Sequence, residues 1–180
     1  MDWLFIAVAL VVAIPLSLFL IAFIVGRFLP ERYDACVIVE LDRTPEEVWN
    51  ALLDTQQNPM TGSMCRRQEK LADVDGRPSW LEDMGSSTVV VTTTVSEPTG
   101  RLCRRLADQV VPMTAEVSIV IEETQKGCRV TVHSVTVIRD GTWHVPIFRV
   151  MMTITGGGRS HLKSFWQSLA QNAGASASFG

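Results

Sequence analysis

The sequence predicts an α+β domain, in which a curved antiparallel sheet packs on a C-terminal helix, preceded by one apolar helix. Three patterns predict this class. Residues 3–25 carry no charged side chain. Between residues 63 and 139, apolar and polar residues alternate in short runs separated by turn residues, which is typical of neighbouring antiparallel strands. Near the C-terminus, apolar residues recur at helical spacing, at Leu162, Phe165, Trp166 and Leu169.

The uncharged run at residues 3–25 predicts a membrane anchor. At about 1.5 Å per residue, a helix of this length reaches roughly 34 Å, which is enough to cross a hydrocarbon core. A cleaved signal peptide is the alternative, but it needs a positive start and an apolar run of only about 7–15 residues. Here Asp2 is the only charge before the run. We therefore expect a single-pass membrane protein, with a transmembrane anchor at residues 1–28 and a linker at residues 29–33.

The flanks of the anchor predict its orientation. No Lys or Arg precedes it, whereas Arg27 and Arg32 follow it. Positive residues favour the cytoplasmic side, so the C-terminal domain is expected in the cytoplasm. That domain should occupy residues 34–172, and the small residues at 173–180 should form a flexible tail.

The first elements of the domain follow from alternation and capping. Residues 34–41 alternate as a strand does, with Val37 and Val39 on one face. A helix should then begin after Thr44, because Pro45 suits the first helical position and Glu47 completes a capping box.

The remaining elements are six strands and a C-terminal helical segment. The helical segment runs from Pro146 onward, and three consecutive glycines at 156–158 should break it. Its apolar side covers the apolar face of the sheet. The strands are expected at residues 64–74, 79–84, 87–97, 100–107, 114–123 and 127–139.

Charge and cysteine usage exclude two classes of function. The net charge of −3 leaves no basic excess to neutralise phosphates, so no nucleic-acid partner is expected. The four cysteines are scattered, and none lies at zinc-ligand spacing from another or from a histidine. We therefore expect no metal site and no cofactor. The cysteines are Cys36, Cys65, Cys103 and Cys128.

Titratable residues do not form a recognisable catalytic set. The spacing of the histidines demands neither a Ser-His-Asp nor a Cys-His arrangement, so we assign no catalytic residue. Glu82 and Asp83 are adjacent on a strand, so they point to opposite faces and only one of them could reach a cavity. The acids are interpreted as residues of solvated sheet faces. The arginines are expected to pair with acids across strands or, alternatively, to attract anionic lipid headgroups. The three groups are His133, His144 and His161; Glu82, Asp83 and Glu116; and Arg66, Arg67, Arg101, Arg104 and Arg105.

Five segments of the domain form a pattern in a fixed order: 44–49, 76–80, 97–108, 140–141 and 146–149. In this order they resemble the START-like superfamily, also called SRPBCC, which includes the polyketide cyclase/dehydrase-like and birch-pollen-allergen-like proteins. The resemblance covers nearly all of residues 34–172. It implies a helix-grip fold, with an apolar cavity between the sheet and the C-terminal helix. It also implies binding of hydrophobic small molecules or lipids, with catalysis in a minority of members.

The expected function is therefore membrane-anchored binding of a lipid or other hydrophobic small molecule, with transfer or sensing as its purpose. Two alternatives remain open: a polyketide cyclase/aromatase-like enzyme, and a non-catalytic assembly or interaction subunit with a membrane-protein partner. Strand parity and helix phase predict which side chains face the cavity. These are Val37, Val39, Trp80, Val89, Val91, Val117, Ile119, Phe148, Met151, Met152 and Phe165.

Overall fold

The computed structural model describes residues 2–180, except for the side chains at positions 2 and 4–9. This part of the chain forms an α+β fold with four α-helices and eight strands. The helices are α1 (Asp2–Gly26), α2 (Pro45–Leu53), α3 (Val145–Ile154) and α4 (Arg159–Asn172). The strands are β1 (Arg32–Leu41), β2 (Arg67–Lys70), β3 (Ser79–Asp83), β4 (Thr88–Glu97), β5 (Arg101–Asp108), β6 (Met113–Thr124), β7 (Gly127–Ile138) and β8 (Ala177–Phe179).

All eight strands form one antiparallel sheet in the order β2-β3-β4-β5-β6-β7-β1-β8. The predicted strands from β3 to β7 are confirmed to within one residue at each end. The prediction for β2 was too long, because residues 62–64 form a 3₁₀ turn and only an isolated bridge joins Val74 to Arg77. The sheet curves around α4, whose Trp166 and Leu169 are buried in the main core.

The predicted anchor corresponds to α1, and the side chains at 1, 2 and 4–9 of that prediction lie outside the described residues. Within the described part of the chain, no helix has both the length and the apolar character needed to cross a membrane. Twelve of the described large apolar side chains of α1 are exposed, at positions that go all the way round the helix. They are Trp3, Leu10, Val11, Val12, Ile14, Leu16, Leu18, Phe19, Leu20, Ile21, Ile24 and Val25.

The capping box predicted for α2 is present. The Thr44 side chain accepts from the Glu47 N–H, and the Glu47 carboxylate accepts from the Thr44 N–H at 2.9 Å. Two of the orphan N–H groups at the helix start are thereby satisfied. The box fixes where α2 begins, and Leu52 at its other end is fully buried against the sheet.

A buried arginine, which the sequence analysis did not single out, joins α3 to the sheet. Arg149 is buried and donates to the Ile138 carbonyl at 3.0 Å and to Glu31 at 3.2 Å. It also forms an ion pair with Asp140, and its own carbonyl accepts from the Tyr33 hydroxyl at 3.0 Å. These contacts hold α3 on the ends of β1 and β7.

The glycine run breaks the C-terminal helical segment, as predicted. All three glycines at 156–158 have positive φ, a backbone region in which glycine has no steric penalty. Gly157 is buried, and a Cβ there would lie 3.1 Å from the Asp34 carbonyl oxygen. The run therefore both separates α3 from α4 and brings the backbone close to β1.

The C-terminal tail departs from the prediction. Residues 177–179 form β8, which pairs with β1 through Val39 and Leu41 instead of fraying. The Arg43 guanidinium also donates to the Ala173 carbonyl at 3.2 Å. Because β1 has an open edge here, even a short run of small residues can add to the sheet through backbone hydrogen bonds.

Candidate functional site

Most of the side chains predicted to line a cavity lie in one tightly packed core. Val37, Val39 and Val91 are completely inaccessible, which means that no space as large as a water molecule reaches them. In this structure they therefore contact neighbouring side chains and line no cavity. Eight of the predicted residues belong to this core: Val37, Val39, Trp80, Val89, Val91, Val117, Ile119 and Phe165.

The three predicted residues of α3 do not join that core. Phe148 and Met152 pack in a second cluster around Ile138 and Val145. Met151 is 54% exposed, so the prediction that it faces a cavity was wrong. The reason is helix phase. Phe148 and Met152 are four residues apart and share the sheet-facing side of α3. Met151 lies about 100° from Met152 around the helix axis, on the outer side with Ile154.

Glu82 was predicted to be solvated, and this was wrong: its side chain is completely buried. Its carboxylate accepts five hydrogen bonds. Two come from the backbone N–H groups of Met60 and Thr61, at 2.8 and 2.7 Å, and one from the Trp80 indole at 2.8 Å. The others come from the Thr61 hydroxyl and from the Gln68 amide. Buried carboxylates are stable only when their oxygens are paired in this way.

Arg104 was expected to pair with an acid across strands or to attract lipid headgroups, and this too was wrong. It is only 2% exposed. Its Nη2 donates to the Leu52 carbonyl at 2.7 Å, and its Cζ lies 4.9 Å from the centre of the Trp80 ring. Burial lowers the pKa of Arg104 to about 10, against the raising influence of the Glu82 charge. None of the described residues provides a hydrogen-bond partner for the Nε and Nη1 atoms.

A pocket of about 210 Å³ opens beside these two buried residues, between the end of α2 and strands β2 to β5. Trp80, Leu53 and Pro78 supply its apolar walls. Its other lining residues offer hydroxyl, amide or cationic groups that could position a ligand. They are Thr55, Gln56, Gln68, Lys70, Ser79, Thr93 and Arg104.

A second pocket, of about 230 Å³, lies between α4 and the loop that follows α2. Phe165, one of the side chains predicted to face the cavity, borders it. The other lining residues are mostly polar, Gln56, Gln57, Asn58 and Ser63 among them. Among the residues that the structure describes, no group of three or more His, Cys, Asp or Glu side chains could hold a metal ion. Of the two pockets just described, the one beside Trp80 combines apolar walls with buried polar atoms that have no partner among the described residues.

Three solved structures similar to this chain show which fold it has. The aromatase/cyclase Zhui from Streptomyces sp. R1128 matches with a TM-score of 0.57 and 12% identity, over 79% of this chain and 93% of that one. The hypothetical protein jhp0584 from Helicobacter pylori matches with a TM-score of 0.58 and 11% identity, over 81% and 89%. The protein MLL2253 from Mesorhizobium loti matches with a TM-score of 0.54 and 17% identity, over 77% and 94%. This chain has the helix-grip fold.

At these identities the likeness establishes the fold alone. No family model matches the chain, and no curated protein matches its sequence. What distinguishes this helix-grip domain must therefore come from its own residues.

The alternation of side chains along each strand could have located the two buried charges of the helix-grip domain, Glu82 and Arg104. Glu82 is two residues after Trp80, and Arg104 is two residues after Leu102, so each shares a sheet face with a buried apolar residue. Charged residues are usually solvated, and this general rule led to the opposite expectation for both. Parity was the stronger signal here.

Proposed function

We propose that the helix-grip domain binds a compact hydrophobic small molecule in the pocket beside Trp80. One observation supports this proposal: an apolar wall and the buried Arg104 N–H groups, which have no partner among the described residues, line the same opening. An indole face, Leu53 and Pro78 would contact the apolar body of a ligand, while Arg104 would bind a polar group. The volume of about 210 Å³ lies below the roughly 300–1,000 Å³ typical of drug-sized ligands, which favours a small one.

Binding is better supported than catalysis. Among the described residues that line this pocket, the titratable ones are Lys70 and Arg104, and neither a carboxylate nor an imidazole is present to abstract a proton. His161, the histidine on α4, contacts the Met60 carbonyl instead, at 3.3 Å. A cyclase/aromatase-like reaction would need a group of that kind close to the ligand.

Native mass spectrometry of the full chain, released from detergent, tests the binding proposal. We expect a stoichiometric small molecule on the wild type, identifiable after extraction. Thr93→Phe should fill the pocket and remove this mass, because Thr93 is a buried lining residue. Val90→Phe is the matched control, since it adds the same ring to the opposite face of β4. Loss of the ligand from both variants, or from neither, would contradict the assignment to this pocket.

A second function, that of an interaction subunit, is favoured by the filled interior between the sheet and α4. Trp166, Leu169 and Phe165 occupy the space in which the resemblance implies a large cavity. A domain of this kind would remain free of ligand in the same experiment, even after incubation with membrane lipids. A stable complex with another membrane protein would then be its expected state.

We further propose that α1 holds the domain at a membrane, with the C-terminal domain on the cytoplasmic side. The support is the ring of exposed apolar side chains on α1, continued by Met151 and Ile154 on the outer side of α3. Alkaline carbonate should fail to release the full chain from membranes, whereas a variant with Leu16→Asp and Ile21→Asp should be released. Val110→Asp, which charges an exposed apolar residue of the sheet domain, is the control.

The exposed Cys36 thiol reports the orientation. A membrane-impermeant maleimide should label the domain only after cells are lysed. Labelling in intact cells would place the domain outside.

A further inference from the structure

We propose that the ligand of the pocket beside Trp80 carries a carboxylate, which Arg104 binds. This inference rests on the proposed function, because it names the chemical class of ligand for the same pocket. It depends on three features of the pocket: the N–H donors of Arg104 that no protein atom uses, the positive charge of Arg104, and the residues that line the pocket.

The first feature is the set of donors on Arg104 that no protein atom uses. A guanidinium has five N–H donors. In this structure Nη2 donates to the Leu52 carbonyl, while Nε and Nη1 are buried and have no partner in the described part of the chain. Leaving buried donors unsatisfied is destabilising, so the position needs an oxygen acceptor that the folded chain does not provide.

The second feature is charge. Among the described residues, no carboxylate lies within ion-pairing distance of Arg104. Glu82 is the buried acid nearby, but its two oxygens already accept from Met60, Thr61, Gln68 and Trp80. The Trp80 ring stabilises one face of the guanidinium by cation–π contact and leaves the N–H edges free. A buried cation in this state favours an anion at its edge over a neutral group.

The third feature is the composition of the pocket. Its lining combines two cations, Lys70 and Arg104, with apolar and neutral polar residues, and includes no acid among the described residues. Lys70 is exposed, so it lies where it can attract an anion from solvent. The Trp80 wall suits a flat apolar body. A small aromatic acid combines these properties.

Isothermal titration calorimetry of the full chain in detergent, with 2-naphthoate and its neutral isostere 2-naphthamide, tests the proposal. We expect naphthoate to bind at least about tenfold more tightly, since hydrogen bonds to charged groups are the stronger ones. Arg104→Gln should remove this preference. Arg105→Gln, which deletes the same charge from the exposed side of β5, should retain it.

A second measurement needs no variant. The Arg104 Nε–H resonance of the ¹⁵N-labelled wild-type chain should shift on titration with naphthoate and stay in place with naphthamide. Equal affinity for the two probes, with no shift of this resonance, would overturn the carboxylate proposal and leave ligand binding in place. Failure of both probes to bind would overturn the carboxylate proposal and count against ligand binding in this pocket.

Discussion

The Arg104 guanidinium lies over the indole of Trp80, with Cζ 4.9 Å from the ring centre. The same indole donates its N–H to Glu82 Oε1 at 2.8 Å. Trp80 therefore contacts a buried cation through its ring face and a buried anion through its ring edge. This arrangement keeps the two charges apart, so Glu82 does not occupy the Arg104 donors beside the pocket.

Glu82→Gln should destabilise the domain strongly. Oε1 of Glu82 accepts from Met60 N, Gln68 Nε2 and Trp80 Nε1, and Oε2 accepts from the Thr61 N–H and hydroxyl. Either orientation of a glutamine amide would place an NH₂ group against N–H donors. We expect a loss of about 3 kcal/mol, since buried hydrogen bonds to charged groups are each worth roughly 1.5–3 kcal/mol.

Thermal unfolding followed by circular dichroism measures this effect. For a domain of this size, about 3 kcal/mol corresponds to a fall in Tm of roughly 6–12 °C. Glu116→Gln is the matched control, because Glu116 is exposed on the outer face of β6. A Glu82→Gln variant as stable as this control would show that the carboxylate is not needed.

Thr44→Ala should weaken the start of α2. The substitution removes the side-chain oxygen that accepts from the Glu47 N–H at 3.3 Å. Loss of an N-cap typically costs about 1 kcal/mol. Thr44→Ser keeps the hydroxyl and should recover most of the loss in chemical denaturation. A serine variant as unstable as the alanine one would mean that the methyl group of Thr44, not its hydroxyl, stabilises α2.

The same cap predicts a pH dependence. The backbone and hydroxyl of Thr44 lower the pKa of Glu47 from its ordinary value of 4.5. A carboxyl whose pKa is lower in the folded state stabilises the fold above its unfolded pKa, and this contribution disappears as the pH falls through the folded value. The difference in Tm between wild type and Glu47→Gln should therefore be constant near neutral pH and shrink below about pH 4.5. Glu46→Gln, which removes a carboxylate from the same helical turn, is the matched control.

The regular elements were predictable because their determinants are local. The alternation of β4 to β7 and the capping box of α2 are both complete within about a dozen residues of sequence. β8 was not predictable, because Ala177 and Ser178 have little strand preference and a three-residue segment pairs only because the edge of β1 is open there.

The candidate site was predictable only in part, for a related reason. Parity placed Trp80 inside correctly, and the same rule, had it been applied to Glu82 and Arg104, would have placed them inside as well. Whether a charge can stay buried depends on its partners, and these are distant in sequence: the Leu52 carbonyl for Arg104 and the Met60–Thr61 backbone for Glu82. The expected large cavity is filled because α4 contributes Trp166 to the same space.

Gly157→Ala should destabilise the junction between α3 and α4 more than Gly156→Ala does. Both glycines have positive φ, at 70° and 65°, so a Cβ strains either one by roughly 1–2 kcal/mol. Only at Gly157 would the new Cβ also approach β1, 3.1 Å from the Asp34 carbonyl oxygen, whereas at Gly156 the nearest atom is 3.8 Å away. The difference in the free energy of unfolding between the two variants therefore isolates the packing of this junction on β1. Equal destabilisation would mean that the junction moves away from the sheet at little cost and that its packing on β1 adds no stability.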